Sequence, residues 1–177
     1  FTLNNYCKSK LVNTGIFFNY NYQLMKKNEM IIKDKKKVLL ILNASTKIFY
    51  NSSESKLIQI NLINTILNVL PTDHQLIIKQ HPAETFNLTF KDKEILLCDK
   101  NSNILDIINE SNLILTTGYT QSIFDTLYLK KKIVFIQLKN EKFFDYINSE
   151  LVYSVKNIKK IFNNDYDFKP KKYENLI

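Results

Sequence analysis

Residues 38–42 read Val-Leu-Leu-Ile-Leu, an unbroken apolar run with no polar position to mark an outer face. A strand with one wet face alternates, so a continuous run of strand length predicts a strand covered on both faces, as in a parallel sheet. Further strand-like segments follow at 75–79, 94–98, 113–117 and 133–136, with a weaker one at 151–155. Helical patterns fall between them. The longest is 53–70, where Leu57, Ile58, Ile60, Leu62, Ile63, Ile66, Leu67 and Leu70 recur at helical spacing, Asn51 and Glu54 are spaced like a capping box, and Pro71 follows. Further helices are expected at 102–110, 120–129, 141–148 and 157–162. Strands alternating with helices predict a doubly wound, mostly parallel α/β sheet of Rossmann-like type.

A length of 177 residues predicts one domain, with room for a short arm. Residues 1–34 are rich in Asn and Tyr with weak periodicity, and read as an arm or linker from a preceding domain. Residues 35–165 read as the folded domain and 166–177 as a tail. The chain begins with Phe1 rather than Met, which suggests a piece of something longer. No apolar run approaches the roughly 18–20 residues of a membrane span, and no signal peptide is visible. Cys7 and Cys98 form no metal or disulfide pattern. These features predict a cytoplasmic protein, at most peripheral at the inner face of the cell membrane.

Several functions are disfavoured by composition. The only glycines are Gly15 and Gly118, too few for a dinucleotide fingerprint or a P-loop. The net charge is +8, but every basic residue is lysine. Without arginine there are no bidentate forks for bases or phosphates, and the lysines are dispersed, so no nucleic-acid partner is expected. No G-x-S-x-G elbow accompanies the histidines. His74 and His81 lack metal-ligand spacing, so no metal site and no resident cofactor are predicted, and His74 reads as a surface residue.

In doubly wound sheets ligands bind beyond the carboxyl ends of the strands. Two strand ends on that rim carry unusual residues: Lys79-Gln80-His81-Pro82, and Thr117-Gly118-Tyr119-Thr120-Gln121-Ser122. Lys79 and His81 are two apart, so an extended backbone would aim both side chains the same way. Gly118 precedes a helix start, where unpaired N–H groups favour an anion and a glycine permits close approach of a phosphate. It reads equally as a tight turn with Thr120 capping the helix. Asp125 reads either as a partner of the helix dipole or as an acceptor for sugar hydroxyls.

These segments are similar to those of a known family. Residues 77–82, Ile-Ile-Lys-Gln-His-Pro, resemble the K-x-H-P segment of CDP-glycerol glycerophosphotransferases. Residues 111–125 resemble that family's S-D-x-x-I-T-D-Y-S-S-x-x-F-D segment, and 130–136 its K-P-I-I-F segment. Residues 12–20 look like the T-G-x-P-R-x-D segment upstream. Related patterns occur in capsule-polysaccharide transferases of the GT-B type. Gly118 stands where the family has Asp, Thr120-Gln121 where it has Ser-Ser, and Lys132 where it has Pro. The Pro-Arg and Asp of the upstream segment are also replaced.

The resemblance implies the carboxyl-terminal, donor-binding half of a GT-B transferase. Gly118, Thr120, Gln121 and Ser122 would then lie at the donor's phosphates, with Thr117 and Tyr119 also in the donor-nucleotide site, Asp125 at its ribose, and His81 at the diphosphate as the catalytic group, with Lys79 nearby. The donor would be CDP-glycerol, a CMP-sugar or a UDP-sugar, used without a metal. The acceptor, a polymer or lipid-linked glycan of teichoic acid or capsule synthesis, would be held by a missing amino-terminal domain. A nucleotide-sugar epimerase-like protein and a basic nucleic-acid-binding module are the rival readings.

Overall fold

A computed structural model describes residues 35–43, 52–90, 95–118, 120–138 and 152–163. The expected arm at 1–34, the helix at 141–148, the tail at 166–177, Asn51 of the capping box and Tyr119 lie outside the described residues. The elements are β1 (Lys36–Ile41), α1 (Ser52–Leu67), β2 (His74–Lys79), β3 (Ile95–Leu97), α2 (Ile104–Glu110), β4 (Leu113–Thr116), α3 (Ser122–Tyr128), β5 (Lys132–Gln137), β6 (Val152–Ser154) and α4 (Lys159–Asn163). A single 3-10 turn, Val155–Asn157, leads into α4.

All six strands pair in parallel in the order β3-β2-β1-β4-β5-β6. This is a Rossmann-like α/β fold. Strand alternation divides the apolar run of β1 between two cores. Val38, Leu40 and Leu42 join Leu62, Ile63 and Ile66 of α1 and Ile161 and Phe162 of α4 on one face. Leu39 and Ile41 join Ile108 of α2 and Ile123 of α3 on the other. The sheet is therefore covered on both sides, which is why the run needs no polar position. The described part of the β2–β3 connection, 80–90, contains no helix.

Helix α1 stops three residues before the expected end. Val69 N–H bonds to the Ile66 carbonyl and Leu70 N–H to that of Leu67, a tightened turn that leaves the α-helical path before Pro71. Helix α2 starts at Ile104 because Asn103 caps it, its side-chain oxygen accepting from Leu105 N–H. His74 corrects the surface expectation. It is 4% exposed at the start of a central strand, with Nδ1 2.6 Å from Asp73 Oδ1 and its ring edge-on to Phe162. The position is covered by α4, a packing no local pattern around His74 announces.

Candidate functional site

The strand order places a switch point beside β1. The chain runs outward through β2 and β3 on one side, then returns to build β4, β5 and β6 on the other. Connections leaving β1 and β4 depart to opposite faces of the sheet, the arrangement beside which open α/β sheets bind ligands. Ile41 is paired with Thr116 there.

Beyond that pair the strands stay tied. Thr117 N–H donates to the Ile41 carbonyl at 3.3 Å, Leu42 N–H to the Lys79 carbonyl at 3.0 Å, and Asn43 N–H to Thr117 Oγ1 at 3.2 Å. The Thr117 side chain thus continues the ladder where the backbone leaves it. Thr116 Oγ1, also buried, donates to the Gly118 carbonyl at 3.0 Å. Gly118 itself lies against Asn43: a Cβ there would overlap Nδ2 and stand 3.2 Å from Cγ. The φ of Gly118 is outside the left-handed range, so close approach, not a turn requiring positive φ, accounts for the glycine.

The start of α3 follows. Thr120 Oγ1 accepts from Ser122 N–H at 3.4 Å, and the Thr120 carbonyl accepts from Ile123 N–H at 3.0 Å. Thr120 therefore caps through its hydroxyl, while Gln121, at the cap position, is already helical and makes no side-chain cap bond. Gln121 is exposed and Ser122 buried. Asp125 sits in the first turn of α3 at 3% exposure, so its carboxylate is enclosed rather than presented to solvent.

Lys79 and His81 occupy different surroundings. Lys79 is 5% exposed, and its Nζ donates to the carbonyls of Asp99, at 2.8 Å, and Lys100. Burial lowers its pKa, an effect opposed by the nearby Cys98 and Asp99. His81 is exposed, and its Nδ1 accepts from Ala83 N–H at 3.1 Å. The expectation that these two side chains share a direction rests on extended backbone through His81. The strand ends at Lys79, and Glu84 N–H bonds to the His81 carbonyl to turn the chain just after it. With Nδ1 accepting, the neutral ring carries its proton on Nε2.

The structure thus brings Thr117, Gly118, Thr120 and Ser122 together around the end of β4 and the start of α3, whereas His81 follows the end of β2, which is separated from β4 by β1. No sequence motif marks Asn43. The one signal for it in the sequence is its place directly after the β1 run, on the same rim. Lys100 is equally unmarked, because its partners are backbone atoms distant in sequence. Among the described residues no three His, Cys, Asp or Glu side chains gather closely enough to hold a metal ion. No helix among them is long and apolar enough to cross a membrane.

No protein-family model matches the sequence, and no curated protein matches it. Solved structures do match in fold. The glycotransferase of kitacinnamycin matches with a TM-score of 0.55 at 12% identity, over 90% of this chain and 41% of its own. The wall teichoic acid polymerase TagF matches with a TM-score of 0.52 at 15% identity, over 81% of this chain and 38% of its own. KpsC of Thermosulfurimonas dismutans, a beta Kdo 2,4 transferase, matches at 0.43 and 13% identity, over 63% and 36%. The chain spans about two-fifths of the length of these structures. At such identities the likeness to the first two establishes the Rossmann-like fold alone.

Proposed function

We propose that this chain supplies the donor-nucleotide-binding domain of a GT-B glycosyl- or glycerophosphotransferase in cell-surface polymer synthesis, of teichoic acid or capsule polysaccharide. The observation that carries the reading is the meeting of Asn43, Thr117 and Gly118 at the switch point of a β3-β2-β1-β4-β5-β6 sheet. In open parallel sheets nucleotides bind at such a switch point. The groups around it are neutral amides, hydroxyls and N–H donors, suited to a diphosphate. The names of the two better-matching structures, a glycotransferase and a teichoic acid polymerase, support a transferase. The K-x-H-P and 111–125 resemblances narrow the donor to CDP-glycerol, a CMP-sugar or a UDP-sugar.

In this reading the segment 117–122 receives the phosphates and Asp125 the ribose, as the resemblance implies. His81 presents Nε2–H to the diphosphate. Negative charge builds on the departing nucleotide as the transferred group leaves, and a fixed N–H donor stabilises that charge more than the ground state. Lys79 acts indirectly, by fastening the β3–α2 loop. The charge is met by N–H donors, so no metal is required. A second domain of the complete transferase holds the acceptor, on the cytoplasmic side of the membrane.

Titration calorimetry of the chain with CDP, CMP and UDP in the presence of a chelator tests this. Binding of at least one is expected, accompanied by a rise in Tm, since a ligand of the native state stabilises it by mass action. No binding to any of them overturns the reading. Salt-sensitive binding of unrelated DNA in their place would favour the nucleic-acid module.

A further inference from the structure

His81, Pro82 and Ala83 are exposed, and the residue after them, Glu84, is buried. These four form a tight turn: Glu84 N–H donates to the His81 carbonyl at 3.0 Å, with Pro82 at the first central position, which its fixed φ favours. Ala83 N–H donates to His81 Nδ1 at 3.1 Å. Two successive N–H groups therefore point back at His81, one at its ring and one at its backbone. Glu84 is tied through its N–H, its carbonyl and its side chain. The carbonyl accepts from Lys100 Nζ at 2.8 Å, and the carboxylate accepts from Gln59 Nε2 of α1 at 3.1 Å through Oε2 and from Thr85 N–H at 3.3 Å through Oε1.

Stability is a poor reason for the Gln59–Glu84 pair. The two residues are 5% and 7% exposed, a carboxylate is costly to bury, and Gln59 Oε1 has no hydrogen-bond partner. An apolar pair of similar volume would fill the place without either cost. What the polar pair adds is direction, because a hydrogen bond fixes where residue 84 stands against α1. We propose that Glu84, anchored by Gln59, is a positioning residue for His81: it fixes the turn that keeps Nδ1 an acceptor and so leaves the proton on Nε2, the nitrogen offered to the diphosphate. The inference rests on the donor-binding reading and deepens it, by making the direction of the His81 ring depend on a contact with α1.

The 177-residue chain has two histidines, so isotope-labelled histidine gives two ring patterns by NMR. His74, at the other end of β2 and edge-on to Phe162, serves as the control. In mildly alkaline buffer, where imidazole is neutral, the ligand-free wild type should show His81 as a single tautomer with a bare Nδ1 and as a single χ1 rotamer. Gln59→Leu, which alters nothing within the turn, and Glu84→Ala should each give mixed tautomers and averaged χ1 couplings at His81. Glu84→Gln keeps an acceptor for Gln59 and should restore the wild-type pattern. His74 should read alike throughout. With whichever of CDP and UDP binds the wild type, the His81 signals should move in wild type and Glu84→Gln but much less in Gln59→Leu, while affinity stays within about threefold.

A Gln59→Leu chain whose His81 ring matches the wild type overturns the proposal, because the helix contact then has no hold on the ring. Equal changes at His74 and His81 also overturn it, since a pair that merely supports the fold would disturb both. Thermal unfolding checks each variant; Glu84→Met replaces Glu84→Ala, and Gln59→Met replaces Gln59→Leu, where the first choice does not fold. A wild type that binds neither nucleotide refutes the donor reading, and with it a ligand for the positioned ring. A wild type that binds while Gln59→Leu leaves His81 unchanged refutes this inference alone.

Discussion

Lys79 Nζ donates to the Lys100 carbonyl, and Lys100 Nζ donates onward to the carbonyls of Glu84 and Phe86 at 2.8 and 3.0 Å. Two ammonium groups in series thus join the ends of β2 and β3 to the loop that follows His81. Gln80 reinforces the same loop, accepting from Leu88 N–H through Oε1 at 3.1 Å. The described part of the loop, 80–90, has no helix or strand of its own, so its backbone carbonyls depend on these side chains for partners.

Lys79→Met keeps the aliphatic stem and removes the donor, leaving the Asp99 and Lys100 carbonyls short of a partner. A loss of about 1–3 kcal/mol in unfolding free energy is expected, the cost of a buried polar group left unsatisfied. Amide exchange should quicken around residues 84–88 and 98–101. Unchanged exchange there would mean that the lysine is not what ties the loop.

Cys98 carries a pH signature. Burial raises its thiol pKa from 9.0 to about 11, and Lys79 opposes the rise. The unfolded thiol ionises near its ordinary value while the folded one keeps its proton, so between pH 9 and about 11 the native state binds more protons than the unfolded state. Stability therefore falls as pH rises through that window and is unaffected below it. In denaturant unfolding, the stability difference between the wild type and Cys98→Ala should be constant below pH 9 and change only above it. Thiolate absorbance of the native protein should lag correspondingly.

Lys130 has φ of 53°, the only non-glycine residue with positive φ among those described. It closes α3: Lys130 N–H bonds to the Leu127 carbonyl at 2.9 Å and Lys131 N–H to that of Thr126 at 3.0 Å, the paired bonds of a Schellman ending. An L-residue in this conformation costs roughly 1–2 kcal/mol. Lys130→Gly removes that cost but makes the unfolded chain freer, so a net gain of about 0.5–1 kcal/mol is expected. A lower midpoint in chemical unfolding would show that the lysine side chain contributes more than its backbone costs.

His81 is exposed and its bond to Ala83 N–H can be replaced by water. His81→Ala should therefore change stability by no more than about 0.5 kcal/mol. If His81 meets the leaving diphosphate, turnover in the complete transferase should fall about a hundred- to a thousandfold while donor affinity changes little. Equal losses in affinity and turnover would make it a binding group only, and no loss in either would leave it a loop residue.

Much of the architecture is a local property of the chain. The run at 38–42 has to be covered on both faces wherever it is placed, the spacing of Leu62, Ile63 and Ile66 has to present an apolar face, and Asn103 can cap a helix from two residues away. Parallel pairing with helices on both sides follows from such segments in alternation, and so does the rim on which Gly118 and His81 lie.

What lies across that rim is a different matter. The Asn43–Thr117 bond joins positions 74 apart, Lys79 reaches carbonyls 20 and 21 residues away, and His74 is enclosed by Phe162. None of these follows from spacing along the chain, because each depends on strand order and register, and above all on the pairing of Ile41 with Thr116 that brings two loops from opposite sides of the sheet into contact. Local pattern specifies which face of a segment is buried; which distant atoms it meets there is chosen by the packing of the whole sheet.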